Sequence, residues 1–101
     1  MVGGSKRKGL NQMQITSINE FRAAIRNGAY AWPGGYPCFF IMSDGGALSF
    51  AAAKAERRQL LEALRDNDNS GWRPVALEIN WEDSDLVCDH TGAKIESAYA
   101  D

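Results

Sequence analysis

The sequence predicts a single α+β domain, two helices packed on one face of a three- or four-stranded, mostly antiparallel sheet, in the order α-β-β-α-β-β. Three observations carry this reading. A capping box at Ser17-Ile18-Asn19-Glu20 opens a stretch whose apolar residues recur at helical spacing. A second helical stretch, rich in alanine and leucine, follows Ser49. Residues 75–81 alternate strictly, with Val75, Leu77, Ile79 and Trp81 on one side and Ala76, Glu78 and Asn80 on the other.

The composition agrees. A chain of 101 residues, 45% hydrophobic and 24% charged, is one domain and excludes wholesale disorder, collagen-like repeats and a small disulfide scaffold. It can bury about two-thirds of its unfolded surface, so folding requires neither metal nor disulfide. No run approaches the roughly 20 apolar residues of a membrane helix, and no secretory h-region follows Lys6-Arg7-Lys8. A cytoplasmic setting is expected, with no membrane partner and with Cys38 and Cys88 as free thiols.

Residues 1–14 read as a flexible basic tail and 15–101 as the domain. In the first helix, residues 18–27, Ile18, Phe21 and Ile25 form one apolar stripe and Gly28 closes the end. Residues 29–37 are a loop, because Pro33 and Pro37 lack amide donors and Gly34-Gly35 admits positive φ. Its aromatics, Trp32 and Tyr36 among them, either cap the edge of the core or present an aromatic platform to a partner. Residues 38–42 are apolar on both faces, as a covered central strand requires, and Ser43-Asp44-Gly45-Gly46 turns the chain into Ala47-Leu48. In the second helix Phe50, Ala53, Leu60, Leu61 and Leu64 share a stripe that Arg57 completes, with Lys54, Glu56, Arg58, Glu62 and Arg65 opposite. After the strand at 75–81 come a turn at 82–85, a last strand at 86–88 and a second turn at Thr91-Gly92. The expected core is Ile18, Phe21, Ile25, Phe39, Ile41, Phe50, Leu60, Leu61, Leu64, Leu77, Ile79 and Trp81.

No constellation of catalytic residues emerges. Asp66, Asp68, Ser70 and Gly71 open like a calcium loop, but position 12, which requires a bidentate glutamate, is Leu77. Cys88 and His90 have the spacing of half a zinc site. Only Cys38 and a carboxylate, or a site shared between two chains, could complete it, so a turn stabilised by Asp89 and Thr91 is the simpler reading. Cys88 and His90 at i and i+2 of a strand stand about 7 Å apart, too far for a nucleophile and its base. No enzymatic activity, cofactor or metal is expected.

Charge is distributed unevenly over the net -2. Residues 1–26 hold Lys6, Arg7, Lys8, Arg22 and Arg26 against Glu20, a net of +4. Residues 66–101 hold nine acids against Arg73 and Lys94, a net of -7. Carboxylates fixed on a rigid sheet imitate a row of phosphates and steer association with a basic groove. The candidate partner-binding residues are Glu78, Glu82, Asp83, Asp85 and Asp89, with Trp32 and Tyr36 as aromatic anchors; the competing reading of the same carboxylates is an acidic face that only solvates the domain.

Residues 21–28, Ala31-Trp32-Pro33-Gly34-Gly35-Tyr36-Pro37, Ser43-Asp44-Gly45-Gly46-Ala47-Leu48-Ser49-Phe50, Gly71-Trp72-Arg73, Glu78-Ile79-Asn80-Trp81-Glu82-Asp83 and Cys88-Asp89-His90-Thr91-Gly92 form one set of segments. Together they resemble a group of small uncharacterised proteins carried by bacteriophages and plasmids. The likeness spans about residues 15–100 and carries over no catalytic residue. It implies a mobile-element setting, in which small acidic proteins block host defence, including as anti-CRISPR proteins. The expected function is an acidic inhibitor, a monomer or weak dimer, that blocks a basic surface of a host protein complex such as CRISPR-Cas. The alternative is a nucleic-acid-associated accessory protein using the basic N-terminal region for phosphates and Trp32 or Tyr36 for stacking. Direct binding of bare nucleic acid is not expected, because three tail charges compete poorly with physiological salt.

Overall fold

A computed structural model of the protein describes residues 13–31, 36–69 and 71–99; Lys6-Arg7-Lys8 and Trp32 lie outside the described residues. Ser17 caps helix α1 (Ile18–Asn27): the Glu20 amide donates to its hydroxyl at 3.2 Å. The Glu20 carboxylate reaches one residue further back than a simple capping box requires. Its Oε1 accepts from the amide and hydroxyl of Thr16 at 2.6 and 2.8 Å, and these bonds hold the Glu20 carboxyl below its ordinary pKa. Gly28, at φ +94°, ends the helix by donating to the carbonyls of Ala24 and Ile25. Replacing Ser17 by alanine is expected to cost about 1 kcal/mol in urea denaturation; a loss within experimental error would show that Glu20 alone holds the helix start.

Two strands of useful length form the sheet, β3 (Tyr36–Met42) and β5 (Pro74–Ile79). They run antiparallel with Cys38 opposite Ile79 and Phe40 opposite Leu77, and the register slips between Ile41 and Met42. Three two-residue strands complete the sheet. β1 (Met13–Gln14) pairs with β5, while β2 (Tyr30–Ala31) and β4 (Ala47–Leu48) pair with β3. All pairs are antiparallel. The α+β class and the packing of helices on one sheet face are as expected.

Phe40 shows how that face is covered. Its ring lies 5.5 Å from Phe21 of α1 and 4.8 Å from Phe50 at the start of helix α2 (Phe50–Ala55). Side chains alternate along a strand, so Cys38 and Phe40 face the helices and Phe39 and Ile41 face the other way. Phe39 is buried nonetheless, so the centre of the sheet is covered on both sides, as the unbroken apolar run anticipates.

Local departures have physical causes. The long second helix is two helices, α2 and α3 (Arg57–Asp66), joined at Glu56, whose φ of -104° and ψ of 26° leave the helical region. Arg57, expected in the apolar stripe, follows the break directly and is exposed. Met13 and Gln14, assigned to the tail, join the sheet, and Ile15 behind them is fully buried. The expected last strand at 86–88 is a single bridge between Val87 and Lys94. Of the expected core, Phe21, Phe39, Phe50, Leu60 and Ile79 are buried, whereas Ile18, Ile25, Ile41, Leu61, Leu64, Leu77 and Trp81 are only partly so. Phe40, Met42, Leu48, Cys88 and Ile95 take the deeper places.

Candidate functional site

Asn80 bonds the acidic C-terminal segment to the end of β5 at several points. It follows β5 directly and, among the described residues, is the one buried polar residue of the core, 4% exposed. Its amide nitrogen donates to the carbonyls of Asp83, Ile95 and Glu96 at 3.0, 3.3 and 3.0 Å, and its Oδ1 accepts from the Asp83 amide at 3.2 Å. Two amide hydrogens are thus shared among three carbonyls. The main chain adds two bonds: the Asn80 amide donates to Pro37 O and the Ala98 amide donates to Asn80 O. Asn80 therefore fixes the turn carrying Glu82, Asp83 and Asp85 and also the returning chain at 95–98.

Within that turn the Asp83 carboxylate accepts from the Asp85 amide at 2.9 Å. Glu82, Asp83 and Asp85 are exposed, and among the described residues none of them has a cationic partner within ion-pair distance. The other two candidates stand apart from this cluster. Glu78 sits half-buried on β5 opposite Phe39, and Asp89 sits beyond the Val87 bridge, where its amide donates to Ala47 O.

Aromatic rings flank the acidic turn. Trp81 stacks on Tyr99 with centroids 5.8 Å apart, and Tyr36 meets Trp81 at 4.8 Å. Tyr36 is thus the half-buried base of a cluster, and the exposed rings are Tyr99 and Tyr30, 62% and 52% accessible. The Tyr30 hydroxyl donates to Glu96 at 2.6 Å, and this bond to a carboxylate raises the Tyr30 pKa. A hydrogen bond with Tyr36 raises that of Tyr99. The shielded Trp81 indole N–H finds no acceptor among the described residues.

On another part of the surface, a pocket of about 190 Å³ is lined by Asp44, Trp72, Asp89 and His90 around Gly46 and Gly71. A Cβ on Gly46 would collide with Asp89 Oδ2, and one on Gly71 would stand 2.8 Å from Asp44 Oδ2. His90 Nε2 faces Glu56 Oε2 at 3.4 Å, and its ring meets Trp72 edge-on. Cys88 instead faces inward, where its sulfur accepts from the Ser49 amide at 3.4 Å. The half-zinc pair therefore diverges, and among the described residues no group of three or more His, Cys, Asp or Glu could hold a metal ion.

Both cysteines are buried, and neither is in a disulfide. Burial by itself pushes the Cys88 thiol up, but hydrogen bonds from Ser49 and Thr91 outweigh it and bring the pKa down to about 7. In a Cys38→Ala background, thiolate absorbance is expected to rise with a midpoint near 7; a midpoint at 9 or above would contradict the hydrogen-bonding. A folded pKa below the unfolded one adds stability that is fully present above about pH 9 and is lost as pH falls through about 7.

Sequence reasoning missed Asn80, which it placed on the polar side of a strand. A polar residue at the end of an alternating run, followed by an acidic turn, was the available signal. It also missed Tyr30 and Tyr99, whose exposure depends on neighbours distant in sequence. Among the described residues no helix is long and apolar enough to cross a membrane. The chain matches no family model, no curated protein and no solved structure.

Proposed function

We propose that the chain is a non-enzymatic binding protein of a mobile genetic element that acts in the host cytoplasm. It is an acidic inhibitor that occupies a basic, nucleic-acid-binding surface of a host defence complex such as CRISPR-Cas. One observation supports this above the others: Glu82, Asp83 and Asp85 stand exposed on a turn that Asn80 bonds rigidly to the sheet. Pre-ordered carboxylates lose little entropy on docking and raise the rate of encounter with a basic surface. Trp81 and Tyr99 beside the turn supply apolar area for such an interface.

The test is capture from host extract followed by reconstitution with the captured complex. The wild-type chain should retain a nucleic-acid-binding complex and displace its nucleic acid. The Glu82→Gln, Asp83→Asn, Asp85→Asn triple variant should bind about tenfold or more weakly and with a shallower salt dependence. Asparagine at 83 keeps the oxygen that accepts from the residue 85 amide, so the turn survives while its charge goes. Undiminished binding by the triple variant would refute the reading.

A further inference from the structure

Helix α1 and the α2–α3 pair flank an open groove of about 550 Å³. Arg22 lines it from α1, and Lys54, Arg57, Arg58 and Arg65 line it from α2 and α3. Glu62 is the one acid among the lining residues, and half-buried Ile18 and Leu61 contribute apolar surface. Arg65 is tied to Asp66 at 3.1 Å, whereas Arg22, Lys54, Arg57 and Arg58 are exposed and, among the described residues, have no ion-pair partner. We infer that this groove holds the phosphodiester backbone of a nucleic-acid strand, bound without regard to base.

The arrangement of the cations favours a chain of charges over a compact anion. Arg58 and Arg65 stand about 10 Å apart along the rise of α3, Lys54 lies on α2 beyond the break at Glu56, and Arg22 lines the groove from α1. The positive charges therefore line the groove from three helices and do not converge on one point. Exposed single cations bind small anions weakly in salt, but a polyanion that neutralises several at once gains by releasing its counterions. Guanidinium groups suit the partner, since their planar fork takes two phosphate oxygens together. Among the described residues no aromatic ring lines the groove, so they offer no base stacking that would confer selectivity there. The expectation of no direct nucleic-acid binding counted only the three tail charges; folding assembles four further unpaired ones. The inference is independent of the acidic turn, which lies on other elements and shares no residue with the groove.

Fluorescence anisotropy with labelled oligothymidylate and oligouridylate of about twenty nucleotides tests it, using the full chain. Both strands should bind at about 50 mM salt and lose about fifty-fold in affinity by about 200 mM, as four phosphate contacts on a single strand require. The Arg22→Glu, Arg58→Glu variant should lose about tenfold or more, and Arg22→Gln, Arg58→Gln should flatten the salt dependence should the charge reversal perturb folding. Lys6→Ala, Arg7→Ala, Lys8→Ala should keep most of the affinity, and the Glu82, Asp83, Asp85 triple variant should bind at least as well as wild type. The inference is overturned by the absence of binding at low salt, by full binding in both groove variants, or by loss of binding in the tail variant alone. Equally tight binding of an oligoglutamate of matched length would overturn it in favour of an acidic peptide.

Discussion

Replacing Phe40 by alanine is expected to remove about 3–5 kcal/mol of stability, the largest loss of any single truncation in the described sheet. Phe40 has no exposed surface and stands between Phe21 and Phe50, so the cavity would open where strand and both helices meet. Neither helix can close it alone, because each is also held by its own cap at Ser17 or Ser49. A domain of this size has about 5–15 kcal/mol in total, so the variant should unfold at a urea concentration lower by about 2 M. Truncating the neighbouring Ile41, partly exposed on the opposite sheet face, should cost markedly less. Equal losses at Phe40 and Ile41 would contradict the placement of the core.

Asn80→Ala is expected to cost about 2–4 kcal/mol, although it removes only a small side chain. The amide satisfies carbonyls at Asp83, Ile95 and Glu96 and the amide of Asp83, and alanine leaves the buried ones among them without partners. Water can reach the partly exposed groups, which keeps the loss from being larger. Asn80→Asp is a sharper probe. It places a carboxylate against three carbonyl oxygens, so it should destabilise at least as much at neutral pH and recover as acid protonates it. Hydrogen exchange should report where the damage falls. The Ala98 and Tyr99 amides, which donate to Asn80 O and Trp81 O, should lose protection while the Phe40 amide keeps it. An Asn80→Ala loss below about 0.5 kcal/mol would mean that the segment 82–99 is held by its aromatic contacts instead.

The elements legible in advance were those with a local cause. Ser17 and Gly28 delimit α1 because a hydroxyl acceptor and a left-handed glycine act within one turn of the chain. The strand after residue 73 follows from its own alternation, and the turn at Asp44 from an Asx bond to the Gly46 amide at 2.9 Å. Residues 38–42 show where this ends. Both alternating sets are apolar there, so periodicity predicts a covered strand but does not tell Phe40 from Phe39 as the residue facing the helices. The break at Glu56 was equally hidden, because Ala55, Glu56 and Arg57 are all good helix formers and nothing local stops the helix.

The candidate surfaces divide the same way. That Glu82, Asp83 and Asp85 share a turn is a property of three near neighbours, and the sequence by itself determined it, together with the α+β class, both helix caps and the acidic bias of the C-terminal third. Only the tertiary structure decided that Asn80 anchors this turn, because its partners at 95 and 96 are brought to it by a chain that returns across about fifteen residues. It likewise decided that Arg22 faces Lys54, Arg57 and Arg58 across a groove. Helical periodicity assigns Arg22, Lys54 and Arg58 to the wet side of their own helices and puts Arg57 in the apolar stripe, from which the structure removes it. Which wet sides adjoin depends on how two helices cross over Phe40, and that is set by packing between residues far apart in the chain.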